Sequence, residues 1–249
     1  MAQRREILAW CDENLQTAQF QDYAPNGLQV EGREEISKVV AAVSASLAAI
    51  EYAAAIGADM LLVHHGMFWK NEPVTITGWK QRRIATLLQH QINLVGYHLP
   101  LDAHPEWGNN AQLARKMGWQ LKRQTGEQNL LNIGCLSESQ SLAVLGAHLA
   151  AELEREPIIA GDMSKPIKTL AWCTGGAQGF FTQAAAEGVD AYVTGEISEP
   201  QYHLAHETGV AFISAGHHAT ERYGVQALAE AMKCQFGLEI YFFDEQNPA

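Results

Sequence analysis

Histidine and carboxylate side chains follow three short apolar runs of the sequence, and these residue types are common ligands of divalent metals. The apolar runs cover residues 60–63, 92–95 and 210–213. The side chains that follow them are His64 and His65, then His98 and Asp102, and finally His217 and Glu221. Because ligands bind beyond the carboxyl ends of strands in open parallel sheets, we expect the three groups to meet in one crevice.

The spacing of these residues is typical of metal binding. His217 and Glu221 are four residues apart at the start of a predicted helix, so both side chains lie on one face of that helix. His64 and His65 are adjacent, so where the chain leaves the sheet they can serve two neighbouring ions. Five donors can hold two divalent ions if a carboxylate or water bridges them. The predicted dinuclear site consists of His64, His65, Asp102, His217 and Glu221.

Each of these residues also has an ordinary structural explanation. A histidine pair is often a surface feature, and Asp102 in a proline-containing turn could be a helix cap. Polar groups directly after buried strands must nevertheless be solvated, paired or bound to metal. Because such groups follow three strands, we favour a metal site. His98 is the candidate acid–base or outer-shell residue, with a packed histidine as the alternative, and Glu196 is a second catalytic candidate.

The elements that must position these residues alternate between strands and helices. Apolar strands are predicted at 39–43, 60–63, 92–95, 169–172, 191–193, 210–213 and 238–243, and most are followed by a helical pattern. This order predicts an α/β fold with mostly parallel sheets. We expect two α/β lobes, residues 1–125 and 126–249, whose segments interlace. The first helix is expected to end near Gln19, and the pattern from about residue 110 to residue 159 is less distinct.

Composition and charge exclude several classes of protein. Hydrophobic residues form 47% of the 249 residues and charged residues 18%, as in ordinary globular proteins. The formal net charge of −11 makes general nucleic-acid binding unlikely. The four cysteines form no CxxC pair, and the sequence has no signal-peptide pattern and no apolar run long enough to span a membrane. A reducing cytoplasm is therefore the expected location.

A glycine-rich segment, residues 174–179, lies between a predicted strand and a predicted helix. Backbone amides in such a position can bind phosphate, and a tight strand-to-helix turn is the alternative explanation. The segment lacks the full GxGxxG spacing and the lysine of a P-loop.

An ordered set of motifs along the chain resembles the NIF-three-like dinuclear metal-centre family, also called the GTP cyclohydrolase I type 2 family, in its short, YbgI-type branch. The motifs are DYAPNGLQVEG at residues 22–32, VHHG at 63–66, HLPLDAH at 98–104, TGE at 194–196 and GHHATE at 216–221. They cover nearly the whole chain, and together they are far more specific than any one of them.

The resemblance implies a hexameric ring of identical chains with metal sites facing an internal cavity. It also implies that His64 and Asp102 bind one ion, that His65 and His217 bind the other, and that Glu221 bridges them. Iron, zinc and manganese all suit such ligands. The activity assigned to the family opens the guanine imidazole ring of GTP with loss of formate.

These observations favour a metal-dependent hydrolase that acts on a nucleotide or a related heterocycle, because a metal can lower the pKa of bound water from 15.7 to about 7. A ring-shaped metal-binding scaffold or chaperone without significant turnover is the second hypothesis. A ring that binds nucleic acid is the third, and it would need a local positive lining.

Overall fold

The computed structural model describes all 249 residues and contains two compact units, each built from more than one part of the chain. The first unit comprises residues 1–108 and 224–246, and the second comprises residues 109–223 and 247–249. These limits differ from the division after residue 125 that the sequence suggested, because the helix and strand that precede this point pack within the second unit. The predicted α/β class with interlaced segments is confirmed.

Strands and helices alternate along most of the chain. Up to residue 108 the elements are β1 (Ala2–Gln3), α1 (Arg4–Leu15), β2 (Gly27–Val30), β3 (Glu35–Ile36), β4 (Lys38–Ser44), α2 (Leu47–Ala55), β5 (Met60–His65), α3 (Gly78–His90), β6 (Asn93–Gly96) and α4 (Leu99–Ala103). From residue 109 they are α5 (Asn109–Met117), β7 (Gln120–Thr125), β8 (Leu131–Ser141), α6 (Leu142–Leu153), β9 (Ile158–Ala160), β10 (Pro166–Trp172), α7 (Phe181–Ala186), β11 (Ala191–Thr194), α8 (Glu199–Thr208), β12 (Ala211–Ser214), α9 (His217–Phe236) and β13 (Glu239–Phe243). None of the helices combines the length and the apolar composition needed to cross a membrane.

A five-stranded sheet in the order β13-β4-β5-β6-β2 forms the centre of the first unit. Its first three strand pairs are parallel, and β2 is antiparallel to β6. Both faces of the sheet are covered: Val39 and Ala41 pack into one apolar layer, and Val40 and Ala42 pack into the other. This burial explains why the strand sequences are continuous apolar runs.

A six-stranded sheet in the order β7-β8-β10-β11-β12-β9 forms the centre of the second unit. The central pairs β10-β11 and β11-β12 are parallel, and the outer pairs are antiparallel. Helices α5 and α6 cover one face, where Leu145 and Leu170 are buried in the same cluster. Helices α7 and α8 cover the other, where Phe181 and Tyr192 are buried.

The structure departs from the sequence expectations at a few elements. The first helix ends at Leu15 rather than near Gln19, because Gln16 adopts a left-handed conformation with φ 53° and a short 3-10 turn follows. Strands β7 and β9 lie in the indistinct region at the two edges of the second sheet. Four of the six β7 residues are exposed, so this strand has no apolar pattern to reveal it.

The two units share a local arrangement in which a helix, a Gly-x-Asp segment and a buried strand follow one another. Before β5, the Asp59 carboxylate accepts hydrogen bonds from the backbone N–H groups of Ser37 and Lys38 at 2.9 and 3.0 Å. Before β11, the Asp190 carboxylate does the same for Lys168 and Thr169 at 2.9 and 2.8 Å. Burial alone would raise the pKa of both carboxyl groups, but these hydrogen bonds outweigh it and lower each pKa.

Candidate metal centre

His64 is fixed at the end of β5 in a tautomer that suits metal binding. Its side chain is buried, and Nδ1 lies 2.9 Å from the carbonyl oxygen of Tyr97. Because a carbonyl only accepts, Nδ1 carries the proton and Nε2 of the neutral ring holds the lone pair. Nε2 lies 3.5 Å from Oδ1 of Asp102. Two ligand atoms each about 2.0–2.2 Å from one ion lie roughly 3.0–3.5 Å apart, so this pair has suitable spacing.

Asp102 reaches this position because α4 begins only three residues after the end of β6. Its carboxylate is only 9% exposed. A buried carboxylate must be paired, hydrogen-bonded or bound to a cation. A buried strand is followed by one turn of helix, and this order places the Asp102 carboxylate against the imidazole of His64.

His65 is the last residue of β5, and its ring lies beside that of His64. The two ring centroids are 4.6 Å apart. Nδ1 of His65 lies 3.3 Å from the hydroxyl of Ser44 on the neighbouring strand β4. The end of the strand thus presents two imidazoles together rather than on opposite faces of the sheet.

His98 joins this pair from the end of β6. Its ring centroid lies 5.1 Å from that of His64 and 5.7 Å from that of His65. Ring nitrogens of the three histidines lie within 4.8 Å of one another, so the three side chains could hold a metal ion. Trp69 packs edge to face against His98, with the centroids 5.0 Å apart.

Asp22 orients His98 from the turn that precedes β2. Its Oδ1 lies 2.7 Å from Nδ1 of His98, and its Oδ2 accepts hydrogen bonds from the Leu99 N–H and the Asn26 amide at 3.0 and 2.9 Å. Burial alone would raise the pKa of Asp22, but the hydrogen bonds from His98, Asn26 and Leu99 lower it to about 2. The ionised carboxylate only accepts, so the Nδ1 of His98 carries the proton.

Gln29 ties the segment after β5 to the same turn. Its Oε1 accepts a hydrogen bond from the Met67 N–H at 2.7 Å, and its Nε2 donates one to the Pro25 carbonyl at 2.8 Å. The side chain passes so close to Gly66 that a Cβ at this glycine would overlap it. Gln29 therefore fixes the path of the chain directly after His65.

The second unit presents its own imidazole–carboxylate pair at the start of α9. Nε2 of His217 lies 3.1 Å from Oε2 of Glu221, whose side chain is 4% exposed. Nδ1 of His217 lies 2.7 Å from Oε1 of Glu196, and Glu196 Oε2 accepts a hydrogen bond from Gln178 at 3.2 Å. Both nitrogens of the ring thus face carboxylates.

This double contact changes the protonation of His217. Burial alone would lower the pKa of the ring, but the hydrogen bonds and negative charges of Glu221 and Glu196 outweigh it and raise the pKa to about 9. The metal-free ring therefore carries a proton at neutral pH. Neutral imidazole ligates metal, so a cation beside Glu221 would take the place of that proton.

The glycine-rich segment 174–179 supports this pair. The Gly175 N–H donates to the hydroxyl of Thr220 at 3.1 Å, and the Gly175 carbonyl accepts from the Gly195 N–H at 2.9 Å. Gly175 has a φ of +69°, and a Cβ at this position would overlap the Glu221 carboxylate. The segment is thus a tight turn in which the absent side chain makes room for Glu221.

The structure brings together the candidate residues within each unit: His64, His65, His98 and Asp102 in the first, and Glu196, His217 and Glu221 in the second. Sequence reasoning missed Asp22, Gln29 and Gly175 as supports of these groups. Asp22 and Gln29 lie in the motif of residues 22–32, but their partners are distant in sequence, so the motif alone does not indicate these contacts.

The same construction recurs in the two units. A histidine follows β6 in the first unit and β12 in the second, a carboxylate lies four residues further along the chain, and another carboxylate lies 2.7 Å from Nδ1 of the histidine. In the first unit these residues are His98, Asp102 and Asp22, and in the second they are His217, Glu221 and Glu196.

Comparison with known proteins gives matches over the full chain. The model of the family described as Duf34/NIF3 (NGG1p interacting factor 3) matches residues 2–248. A protein of Neisseria meningitidis serogroup A named "GTP cyclohydrolase 1 type 2 homolog" is 63% identical over 249 residues, which is all of both chains.

Two solved structures share the fold over their whole length. One is described as protein ybgI of unknown function, with a TM-score of 0.97 and 46% identity over 100% of each chain. The other is a protein of Thermus thermophilus, with a TM-score of 0.90 and 35% identity over 100% of each chain.

Proposed function

Because the chain belongs to the Duf34/NIF3 family, we propose that it is a metal-dependent hydrolase with two divalent ions per chain. The proposed ligands are His64, His65, Asp102, His217 and Glu221. The observation that carries the proposal is the pairing, inside each unit, of an imidazole Nε2 with a buried carboxylate oxygen. These atoms are 3.5 Å apart in the first unit and 3.1 Å apart in the second, which suits two ligands of one ion.

The ligands divide between the two ions as the family resemblance implies. His64 and Asp102 would bind one ion, His65 and His217 would bind the other, and Glu221 would bridge them. Two divalent ions carry four positive charges, of which the two carboxylates neutralise two. The remaining positive charge favours anionic groups such as phosphate, and two such ions supply Lewis acidity for hydrolysis at neutral pH.

Glu196 has a positioning role in this proposal. Its carboxylate accepts the Nδ1–H of His217, which directs Nε2 toward Glu221. Outer carboxylates of this kind orient metal-binding histidines and raise their basicity. Glu196 thereby acts through His217 rather than on the substrate.

The proposed substrate class is a nucleotide or a related heterocycle. The positive charge of the centre supports an anionic substrate, and the name of the relative with 63% identity points to GTP chemistry. A metal-binding scaffold without turnover would use the same ligands, so the two functions are distinguished by catalysis.

Elemental analysis and a nucleotide panel test the proposal together. We expect close to two divalent ions per chain, and we expect His217→Ala and Glu221→Ala to lose metal while retaining the fold as judged by circular dichroism. Hydrolysis of a panel that includes GTP, ATP and their nucleosides should require metal and disappear in Glu221→Ala. Full metal binding without turnover of any compound would favour the scaffold, and a wild-type chain that stays metal-free after reconstitution would exclude both.

A further inference from the structure

The three neighbouring imidazoles of His64, His65 and His98 have their ring orientations set by contacts at Nδ1. The Tyr97 carbonyl contacts His64 at 2.9 Å, the Ser44 hydroxyl contacts His65 at 3.3 Å, and Asp22 contacts His98 at 2.7 Å. For His64 and His98 the acceptor fixes the proton on Nδ1, so Nε2 is the lone-pair nitrogen of the neutral ring. The five ligands proposed above include two of these rings and leave His98 out.

Hydrogen bonds fix both the backbone and the side chain of His98. The His98 backbone N–H donates to the Asn26 side chain at 2.8 Å, and the Asp22 carboxylate also accepts from the Tyr23 N–H at 2.6 Å. The Asp22 side chain is only 4% exposed. A buried carboxylate that fixes Nδ1 of a histidine is the usual outer partner of a metal-binding imidazole.

The second unit supplies an internal comparison. His217 has a carboxylate 2.7 Å from Nδ1 and a second carboxylate four residues further along the chain. His98 has the same kind of Nδ1 partner in Asp22, whereas Asp102, the carboxylate four residues further along the chain, contacts the neighbouring His64. A carboxylate at Nδ1 directs the opposite nitrogen of His217 toward the proposed metal, and we expect Asp22 to do the same for His98.

We infer that His98 is a sixth metal ligand, which binds through Nε2 next to His64 and His65, and that Asp22 is its positioning residue. This inference rests on the proposed metal centre and adds a ligand to it. It replaces the acid–base role that the sequence suggested for His98. Ring nitrogens of His64, His65 and His98 lie within 4.8 Å of one another, as ligands of one ion would. The His98 side chain is only 16% exposed, which suits a ligand enclosed in the site.

Titration of the metal-free full-length protein with Co²⁺ tests this role without a substrate. The affinity is measured by competition with a chelator, and the visible absorption of bound Co²⁺ reports the number and type of its ligands. His98→Ala should weaken at least one Co²⁺ site by about 10–100-fold and change the spectrum. Asp22→Asn should weaken the same site by roughly tenfold, because the outer partner loses its charge.

Two further variants make the test specific. His98→Gln retains a hydrogen-bond donor for Asp22 but removes the imidazole, so it should reproduce the loss of affinity, and it replaces His98→Ala if that variant does not fold. His90→Ala removes an exposed imidazole at the end of α3 and should bind Co²⁺ like the wild type.

The possible outcomes separate this inference from the proposed function. Wild-type affinity and spectrum in His98→Gln would overturn the role of His98 as a ligand while leaving the five-ligand centre intact. If the wild-type chain binds no Co²⁺, the metal centre and the sixth ligand are both excluded. Weaker binding together with a changed Co²⁺ spectrum in both His98 variants, with His90→Ala unchanged, would establish the ligand, because a residue that only positions a ligand leaves the ligand set of the bound ion the same.

Discussion

The carboxylate of Glu196 lies 2.7 Å from Nδ1 of His217, and the opposite ring nitrogen lies 3.1 Å from Glu221. The orientation of this imidazole is therefore set before any metal binds. Removing the outer carboxylate should leave the ring free to rotate and should weaken binding without removing a ligand.

We expect Glu196→Ala to lower the affinity for Zn²⁺ about 10–100-fold, and we expect Glu196→Gln to have a smaller effect because its amide oxygen can still accept from Nδ1. Chelator competition measures both values. Glu199→Ala is the matched control, since Glu199 is highly exposed at the start of α8 and forms an ion pair with His203 rather than with His217. Equal affinities of Glu196→Ala and the control would contradict the positioning role.

A side chain at Gly175 should disturb the second unit in two ways. Its φ of +69° is unfavourable for other residues by about 1–2 kcal/mol, and the new Cβ would displace the Glu221 carboxylate. Gly175→Ala should therefore lower the free energy of unfolding in urea and weaken metal binding at least tenfold. Gly179→Ala has open space around its Cβ and should change neither quantity. Unchanged metal affinity in Gly175→Ala would show that Glu221 does not need this space.

The buried carboxylate of Asp59 should make stability depend on pH. Its pKa is lowered in the folded state, so its stabilising effect is fully present above the unfolded value of about 3.9 and is lost as the pH falls through the folded pKa. Asp59→Asn should reduce the free energy of unfolding by about 1–3 kcal/mol at pH 7, and this difference should shrink below about pH 4. Urea unfolding at pH 7 and pH 3.5 measures the change.

Glu51→Gln, at an exposed position on α2, is the control for the loss of a charge, and Asp190→Asn should repeat the Asp59 result in the second unit. A difference between wild type and Asp59→Asn that stays constant with pH would contradict the predicted role of the ionised carboxylate.

Loss of the Gln29 side chain should loosen the chain directly after His65. In Gln29→Ala the Met67 N–H loses its acceptor, so hydrogen exchange at this amide should become faster while exchange within β5 changes little. Gln81→Ala, at an exposed position on α3, should leave the exchange pattern unchanged. Protection of Met67 that persists in Gln29→Ala would mean that another group fixes this segment.

The apolar strands and the helices that follow most of them could be predicted from the sequence because sheets covered on both faces require continuous apolar runs. The runs at Val39 and Leu61 are examples, and the histidines that interrupt such patterns identify the strand ends. Strand β7 could not be predicted in this way, because it lies at a sheet edge and most of its side chains are exposed.

The sequence by itself determined which residue types stand at the strand ends, and the four-residue spacing of His217 and Glu221 was enough to predict their contact, because a helix brings such residues to one face. Only the tertiary structure decided how these side chains are held. Asp22 lies 76 residues from His98, and Gly175 lies 46 residues from Glu221. No local periodicity links residues so far apart, since their contacts depend on how the strands and turns pack within each unit.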